Sequence, residues 1–330
     1  MTQPSPIGKH PESVSDPLRS VVPLQLRRRF FPFGFPLDLE TNSIDVIEAG
    51  AECWGGYSQR FEDGPVRISL GVAPGETVLP SKSTFRSRGH LLSLFADAEN
   101  FVIADFDQHY AFGWVTEAVA RDHALLRFRF LISTASMLLG QLALVPVHAG
   151  LIARNGRGVA LVGDSFAGKS TLAYACARSG WTYICDDGAM LVRKHFNRYA
   201  VGNPQVLHLR EDARRLFPEL ADRLPAKRPS GKIGLEVLTR DLPIATAPGC
   251  SIDHVVFLNR NEPGKTRLRH FPSRQALPWL EQVLAYGTTE VRLAQKQCFE
   301  KLLSAGVWEL CYQDLSAAIG RLERLVDLGT

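Results

Sequence analysis

Eight consecutive residues, Gly163-Asp164-Ser165-Phe166-Ala167-Gly168-Lys169-Ser170, fit the pattern G-x-x-x-x-G-K-[ST]. Glycines let such a loop wrap closely round an anion, with successive backbone N–H groups turned inward. A helix opening near Gly168 would aim the positive end of its dipole at the same point. In that arrangement Lys169 reaches the β- and γ-phosphates of a nucleotide and the Ser170 hydroxyl ligates Mg²⁺. ATP and Mg²⁺ are therefore the expected ligands, with contacts running from Gly163 to Thr171.

A second group, Asp186-Asp187, ends the apolar run Trp181–Cys185. In a parallel sheet the carboxyl ends of strands face the ligand crevice. Two adjacent carboxylates there divide the work: one takes the proton from an attacking hydroxyl and the other holds Mg²⁺. The bland reading is a solvated Asp-Asp-Gly turn. His148, in Val147-His148-Ala149-Gly150, reads either as a core histidine or as a partner that orients an acid.

The surrounding pattern supplies elements to hold these groups. Val147–Ala153 and Gly158–Val162 read as strands joined by a tight turn at Asn155-Gly156, since both turn residues tolerate positive φ. Lys169–Ser179 reads as a helix with Gly180 as its stop, and Trp181–Cys185 as the next strand. Upstream, Arg121–Leu144 reads as one long helix ended by Pro146. Between 37 and 108, apolar runs such as Ile44–Ile47, Val66–Val72 and Phe101–Phe106 are broken by Gly, Pro and Asp, which indicates a β-rich unit. Downstream, Leu209–Phe217, Arg274–Tyr286 and Leu315–Leu328 read as helical, and Val255–Leu258 as a strand. Four segments follow: a flexible leader over 1–36, a β-rich N-terminal domain over 37–120, a catalytic domain with a lead-in helix over 121–260, and a mostly helical segment over 261–330.

Composition narrows the class. Hydrophobic residues at 45% and charged residues at 22% are ordinary for a globular chain with a real core. The net charge of +4, with Arg27–Arg29 as the densest basic run, argues against a nucleic-acid partner. The six cysteines form no C-x-x-C pair, so neither a disulfide framework nor a cysteine metal site is expected. Met1–Ser20 lacks the apolar stretch of a signal peptide. The longest uncharged run, Phe130–Ala149, contains Gln141 and Pro146 and does not read as a membrane span. A cytoplasmic location and no membrane partner are expected.

The ordered set His148-Ala149-Gly150, the Asn155-Gly156 turn, Gly163–Ser170, Gly180-Trp181 and Asp186-Asp187 resembles the C-terminal catalytic domain of HPr kinase/phosphorylase. It is closer still to HPr-kinase-like proteins found beside bacterial peptide-maturation genes. The resemblance covers 145–205 well and 205–260 loosely. It implies an α/β fold, with a P-loop nucleotide-binding core of the HPr kinase and phosphoenolpyruvate carboxykinase type beside the β-rich N-terminal domain. It also implies Asp186 as the base toward a seryl hydroxyl and His148 as its hydrogen-bonding partner. Ser170 and Asp187 would then serve the metal, and Lys169 the phosphates. The chain departs from the family at Thr171, where HPr kinases have Glu, and has no clean copy of their Arg-Gly-x-Gly signature. Val201-Gly202-Asn203-Pro204 is the nearest small-residue turn, and Pro229-Ser230-Gly231-Lys232 does not match either.

The leading expectation is ATP-dependent phosphorylation of a serine on a protein or peptide, by a chain that could form a homo-oligomer. A catalytically silent ATP-binding interaction module and a kinase for a small hydroxylated metabolite stay open. Arg193, Arg210 and Lys232 are cations at positions that could neutralise a phosphoryl group. Trp54-Gly55-Gly56-Tyr57 reads as a peptide-docking surface or as a core Trp beside a turn.

Overall fold

The computed structural model describes residues 23–76, 83–194, 198–227, 231–260, 264–282 and 287–328. The polar leader over 1–22, Pro229, Ser230 and the Tyr286 end of an expected helix lie outside them. The described chain is mixed α/β with several sheets.

The first sheet runs from β1 (Leu26–Phe30) and β2 (Leu37–Thr41) through β3 (Val66–Ala73) to β4 (Thr84–Arg88), β5 (Leu91–Phe95), β6 (Phe101–Asp105) and β7 (Tyr110–Thr116). Its order is β1-β2-β3-β7-β6-β5-β4. Part of the expected leader is thus an ordered edge strand: Arg29 is paired with Asp38 and Arg27 with Glu40, while Phe30 and Phe35 are buried. Ile44–Ile47 belongs to helix α1 (Ile44–Trp54), which covers the inner face of this sheet. Its buried residues Val46, Ile47, Ala49, Gly50, Cys53 and Trp54 recur at helical spacing. Trp54 is therefore a core residue.

The long helix expected over Arg121–Leu144 is interrupted. It begins as α2 (Glu117–Arg121), capped by the Thr116 hydroxyl on the Val119 N–H, and restarts at α3 (His123–Leu126). Asp122 causes the break, because its carboxylate accepts from the Leu125 N–H as a cap does. A wider π-type turn over Arg127–Ile132 then leads into α4 (Ser133–Leu142). Pro146 lies in β8 (Leu144–Val147), an edge strand, where its missing N–H costs no ladder bond.

The second sheet carries the candidate chemistry. β9 (Ala149–Arg154) and β10 (Arg157–Val162) form the expected hairpin, with Asn155 and Gly156 both at positive φ. Helix α5 (Lys169–Arg178) crosses to β11 (Thr182–Cys185), which pairs antiparallel with β9. After β12 (Ala189–Val192), β13 (Tyr199–Val201), β14 (Val206–Leu209), the single turn α6 (Ala213–Leu216), β15 (Ala226–Lys227), β16 (Ile233–Leu238) and β17 (Ala245–Thr246), the long strand β18 (Gly249–Asn259) pairs parallel with β10. β14, β16 and β15 form a separate small sheet. The C-terminal segment, expected to be mostly helical, also contributes strands. β19 (Arg267–His270) leads to α7 (Ser273–Glu281) and α8 (Thr289–Leu302), β20 (Gly306–Cys311) pairs parallel with β18, and α9 (Leu315–Leu328) follows.

Alternation along the central strands splits their side chains between two cores. Ile152, Val159 and Leu161 pack under α5 and α9, whereas Leu151, Ala160 and Val162 pack against α7 and α8. Among the described residues, no helix is long and apolar enough to cross a membrane.

Candidate functional site

The glycine loop joins β10 to α5 at the carboxyl ends of the parallel strands β10, β18 and β20. Gly168 caps α5 at φ 92°, and a Cβ there would stand 2.5 Å from the Tyr312 hydroxyl. That hydroxyl donates to the Ala167 carbonyl at 3.2 Å, so the loop is bedded on a buried ring that follows β20. The Arg260 guanidinium lies 5.7 Å from the same ring and beside Gly168. Phe166, also left-handed at φ 77°, projects from the loop tip with 73% of its surface exposed. The Arg210 guanidinium sits 3.3 Å above its ring.

Lys169 is buried, and its ammonium donates to the carbonyls of Gly163 at 2.7 Å and Asp164 at 3.2 Å. Burial pulls its pKa below the ordinary lysine value, opposed by the carboxylates of Asp187, Asp164 and Asp186 and reinforced by Lys232. Because β9 pairs with both β10 and β11, the glycine loop after β10, the twin acids after β11 and His148 before β9 lie at one edge of the sheet. The Trp279 indole N–H donates to Asp164 Oδ1 at 3.3 Å, and its ring lies nearly parallel to that of His148, 6.5 Å between centroids.

His148 occupies the junction between β8 and β9. Its Nδ1 lies 2.7 Å from Oδ1 of Asp187. The expected pairing with Asp186 is not formed. The register of β11 against β9 shifts between Tyr183 and Cys185, and such a bulge re-aims the side chains that follow it. Asp186 consequently turns to the side of Tyr183, whose hydroxyl donates to its Oδ1 at 2.9 Å, and of His208, 3.8 Å away. Asp187 instead meets His148.

The two acids differ in environment as well as direction. Asp186 is 3% exposed, and its Oδ2 is buried with no hydrogen-bond partner. Asp187 is half-exposed on its side chain. Its burial raises the carboxyl pKa, but the His148 hydrogen bond and charge, the Lys169 charge and the Gly188 N–H outweigh this and hold it below the usual carboxylate value. Tyr183 is pushed well above its ordinary value by burial and then by Asp186, so it remains a donor.

Of the cations named from the sequence, Arg210 reaches the loop at the Phe166 ring, and Lys232 acts on Lys169 as a like charge. Arg193 instead donates to the Gln141 carbonyl. Tyr312, Trp279 and Arg260 come from the C-terminal third of the chain and carry no local motif, so spacing could not single them out. Tyr183 was within reach, as an aromatic just ahead of the acid pair. A separate group, Asp45, Glu48 and His123, places potential ligand atoms within 4.8 Å of one another on α1 and α3. His123 is already engaged there by Glu52 at 2.7 Å.

Comparison with known proteins gives three findings. The family described as SynChlorMet cassette protein ScmC matches residues 115–205, which include His148, the glycine loop and both aspartates. No curated protein matches the chain. Among solved structures, the HPr(Ser) kinase/phosphatase from Coxiella burnetii is similar with 14% identity and a TM-score of 0.30, over 56% of this chain and 99% of that one.

Proposed function

We propose that the chain is an ATP- and Mg²⁺-dependent kinase that transfers the γ-phosphoryl group to a serine hydroxyl of a protein or peptide. The observation that carries this reading is that the glycine loop after β10, the aspartates after β11 and His148 before β9 lie at one edge of the sheet, with Asp187 held by His148 at 2.7 Å. A loop suited to phosphates beside an oriented carboxylate would supply two of the recurring parts of phosphoryl transfer to a hydroxyl, and a metal site is the third.

The roles of the two acids follow their surroundings. Asp187 is the base: the seryl Oγ forms its bond to the γ-phosphorus, the bond from that phosphorus to the β,γ-bridging oxygen breaks, and the hydroxyl proton passes to the Asp187 carboxylate. His148 orients that carboxylate. Asp186, whose Oδ2 is buried without a hydrogen-bond partner, would hold Mg²⁺ together with the Ser170 hydroxyl, an oxygen set that fits this cation. When bound, Mg²⁺ would offset charge on the phosphate oxygens. The Gly163–Ser170 amides and Lys169 would bind the phosphates, with Thr171 at the helix start. Arg210 and Arg260, stacked on Phe166 and Tyr312, would add positive charge at the rim.

The test is transfer of ³²P from Mg·[γ-³²P]ATP to serine-containing peptides, compared with free serine and sugars. Phosphoserine that disappears in Lys169→Ala and Asp187→Asn supports the reading. ATP binding without transfer to any acceptor would leave a nucleotide-binding module instead.

A further inference from the structure

We infer that Phe166 selects the acceptor, and that the serine it admits carries an aromatic side chain within two positions of it. The inference rests on the proposed transfer site and names the class of peptide which that site takes.

Phe166 is the only aromatic residue of the glycine loop. Its φ of 77° lies in the left-handed region, which a residue with a Cβ enters at a cost. The fold draws no core packing in return. Among the described residues the ring joins none of the three hydrophobic clusters, and 73% of Phe166 is exposed. On an ordinary surface a single exposed ring needs no explanation. Here its neighbours supply one.

One face of the ring is taken by the Arg210 guanidinium, 3.3 Å from the ring centroid. Arg210 follows β14, and two residues earlier that strand brings His208 to 3.8 Å from Asp186. The end of β14 therefore joins the loop tip to one of the two acids. A hydroxyl attacking a phosphate on the loop, with Asp187 as base, arrives at this same edge of the sheet. A second ring stands there: Trp279 donates to Asp164, two positions before Phe166, and lies nearly parallel to His148.

The free face of Phe166 is a flat apolar surface, and Arg210 holds it in place, so a partner that stacks on it costs little side-chain freedom. An extended peptide rises about 3.3 Å per residue, so side chains within two positions of the serine lie within about 7 Å of it along the chain. An aromatic group at that reach gains the most from the ring, whereas free serine and sugars carry none. A nucleobase could also stack on such a ring. The link from the ring through β14 to Asp186 favours the acceptor.

The test is fluorescence anisotropy on the full chain with Mg²⁺ and saturating adenylyl imidodiphosphate. Two labelled peptides are compared, Asn-Phe-Ala-Phe-Asn and Asn-Gly-Ala-Gly-Asn, in which the central alanine stands for serine. The parent should bind the first about tenfold or more tightly, the gain from burying one aromatic side chain. Phe166→Ala should abolish that preference and Phe166→Tyr should keep it. In transfer assays with the serine forms, the preference should appear in KM rather than in kcat. Equal affinity of the parent for both peptides overturns the inference, as does saturable binding of neither. A preference that survives in Phe166→Ala also overturns it, and weaker nucleotide binding in that variant would then mark the ring as a nucleobase platform. Binding is read without phosphoryl transfer, so the two readings fail separately. A peptide preference in a chain that transfers nothing removes the kinase reading alone, and transfer to both peptides with equal KM removes this inference alone.

Discussion

The imidazole Nδ1 of His148 lies 2.7 Å from Oδ1 of Asp187, although 39 positions separate the two in the chain. The β8–β9 junction and the end of β11 bring them together, and Asp186, one residue away, is left facing Tyr183. This relationship gives different neighbours to two acids that look equivalent in the sequence.

Asp187→Asn should lower the rate of phosphoryl transfer by about 10²–10⁴-fold, the range expected for loss of a general base. Its ATP affinity should stay close to that of the parent. Asp186→Asn should instead raise the Mg²⁺ concentration needed for half-maximal activity. A magnesium titration of both variants separates them, and a parental rate in Asp187→Asn would remove the base assignment.

Replacing His148 with Ala should shift the acid limb of the pH–rate profile upward. In the parent, His148 and Lys169 hold the Asp187 pKa below the ordinary carboxylate value against the effect of burial. The carboxylate is then ionised throughout the neutral range and loses activity only as pH falls through its depressed pKa. Without His148, the opposing effect of burial is less compensated and protonation begins at higher pH. An unmoved acid limb would show that the pair does not tune this group.

At Gly168, alanine would meet both a φ of 92° and the Tyr312 hydroxyl at 2.5 Å. The expected cost is about 1–3 kcal/mol, typical of a left-handed position occupied by a residue with a Cβ. It should appear as a lower Tm and weaker nucleotide binding. Adding Tyr312→Phe should restore part of the loss by removing the hydroxyl. If the double variant is no better than Gly168→Ala, the backbone angle alone accounts for the cost.

Acid sensitivity of the fold should trace partly to His254 on β18. Both its ring nitrogens are buried without hydrogen-bond partners, and burial pulls its pKa below the usual value despite Asp253. The unfolded chain takes up this proton near pH 6.5, whereas the folded chain resists it. Stability should therefore be complete above about pH 6.5 and fall as pH drops toward the folded pKa. Urea midpoints between pH 7.5 and 5 should decline less in His254→Phe than in the parent; equal slopes would exclude the residue.

Local order near the loop was largely legible from residue types. Asn155-Gly156 between two apolar runs gave the β9–β10 hairpin, and Gly180 after Arg178 marked the stop of α5. These features depend on backbone preferences and on neighbours a few positions apart. The helix over Ile44–Trp54 was less legible: its buried residues repeat at helical spacing, but Ile44–Ile47 by itself reads only as a short apolar run in a β-rich stretch. The break at Asp122 turned on a single cap within a run of helix formers.

The chain's own order of residues determined which groups could do chemistry: a glycine loop ending in Lys169 and Ser170, two adjacent carboxylates, and a histidine ahead of a hairpin. Only the tertiary structure decided which acid meets His148, because a register shift in β11 depends on pairing with β9 rather than on the identity of Asp186 or Asp187. Likewise, Tyr312 under Gly168 and Trp279 on Asp164 come from more than 100 positions downstream. No spacing rule reaches that far, since contacts across a sheet are selected by packing and strand order, not by distance along the chain.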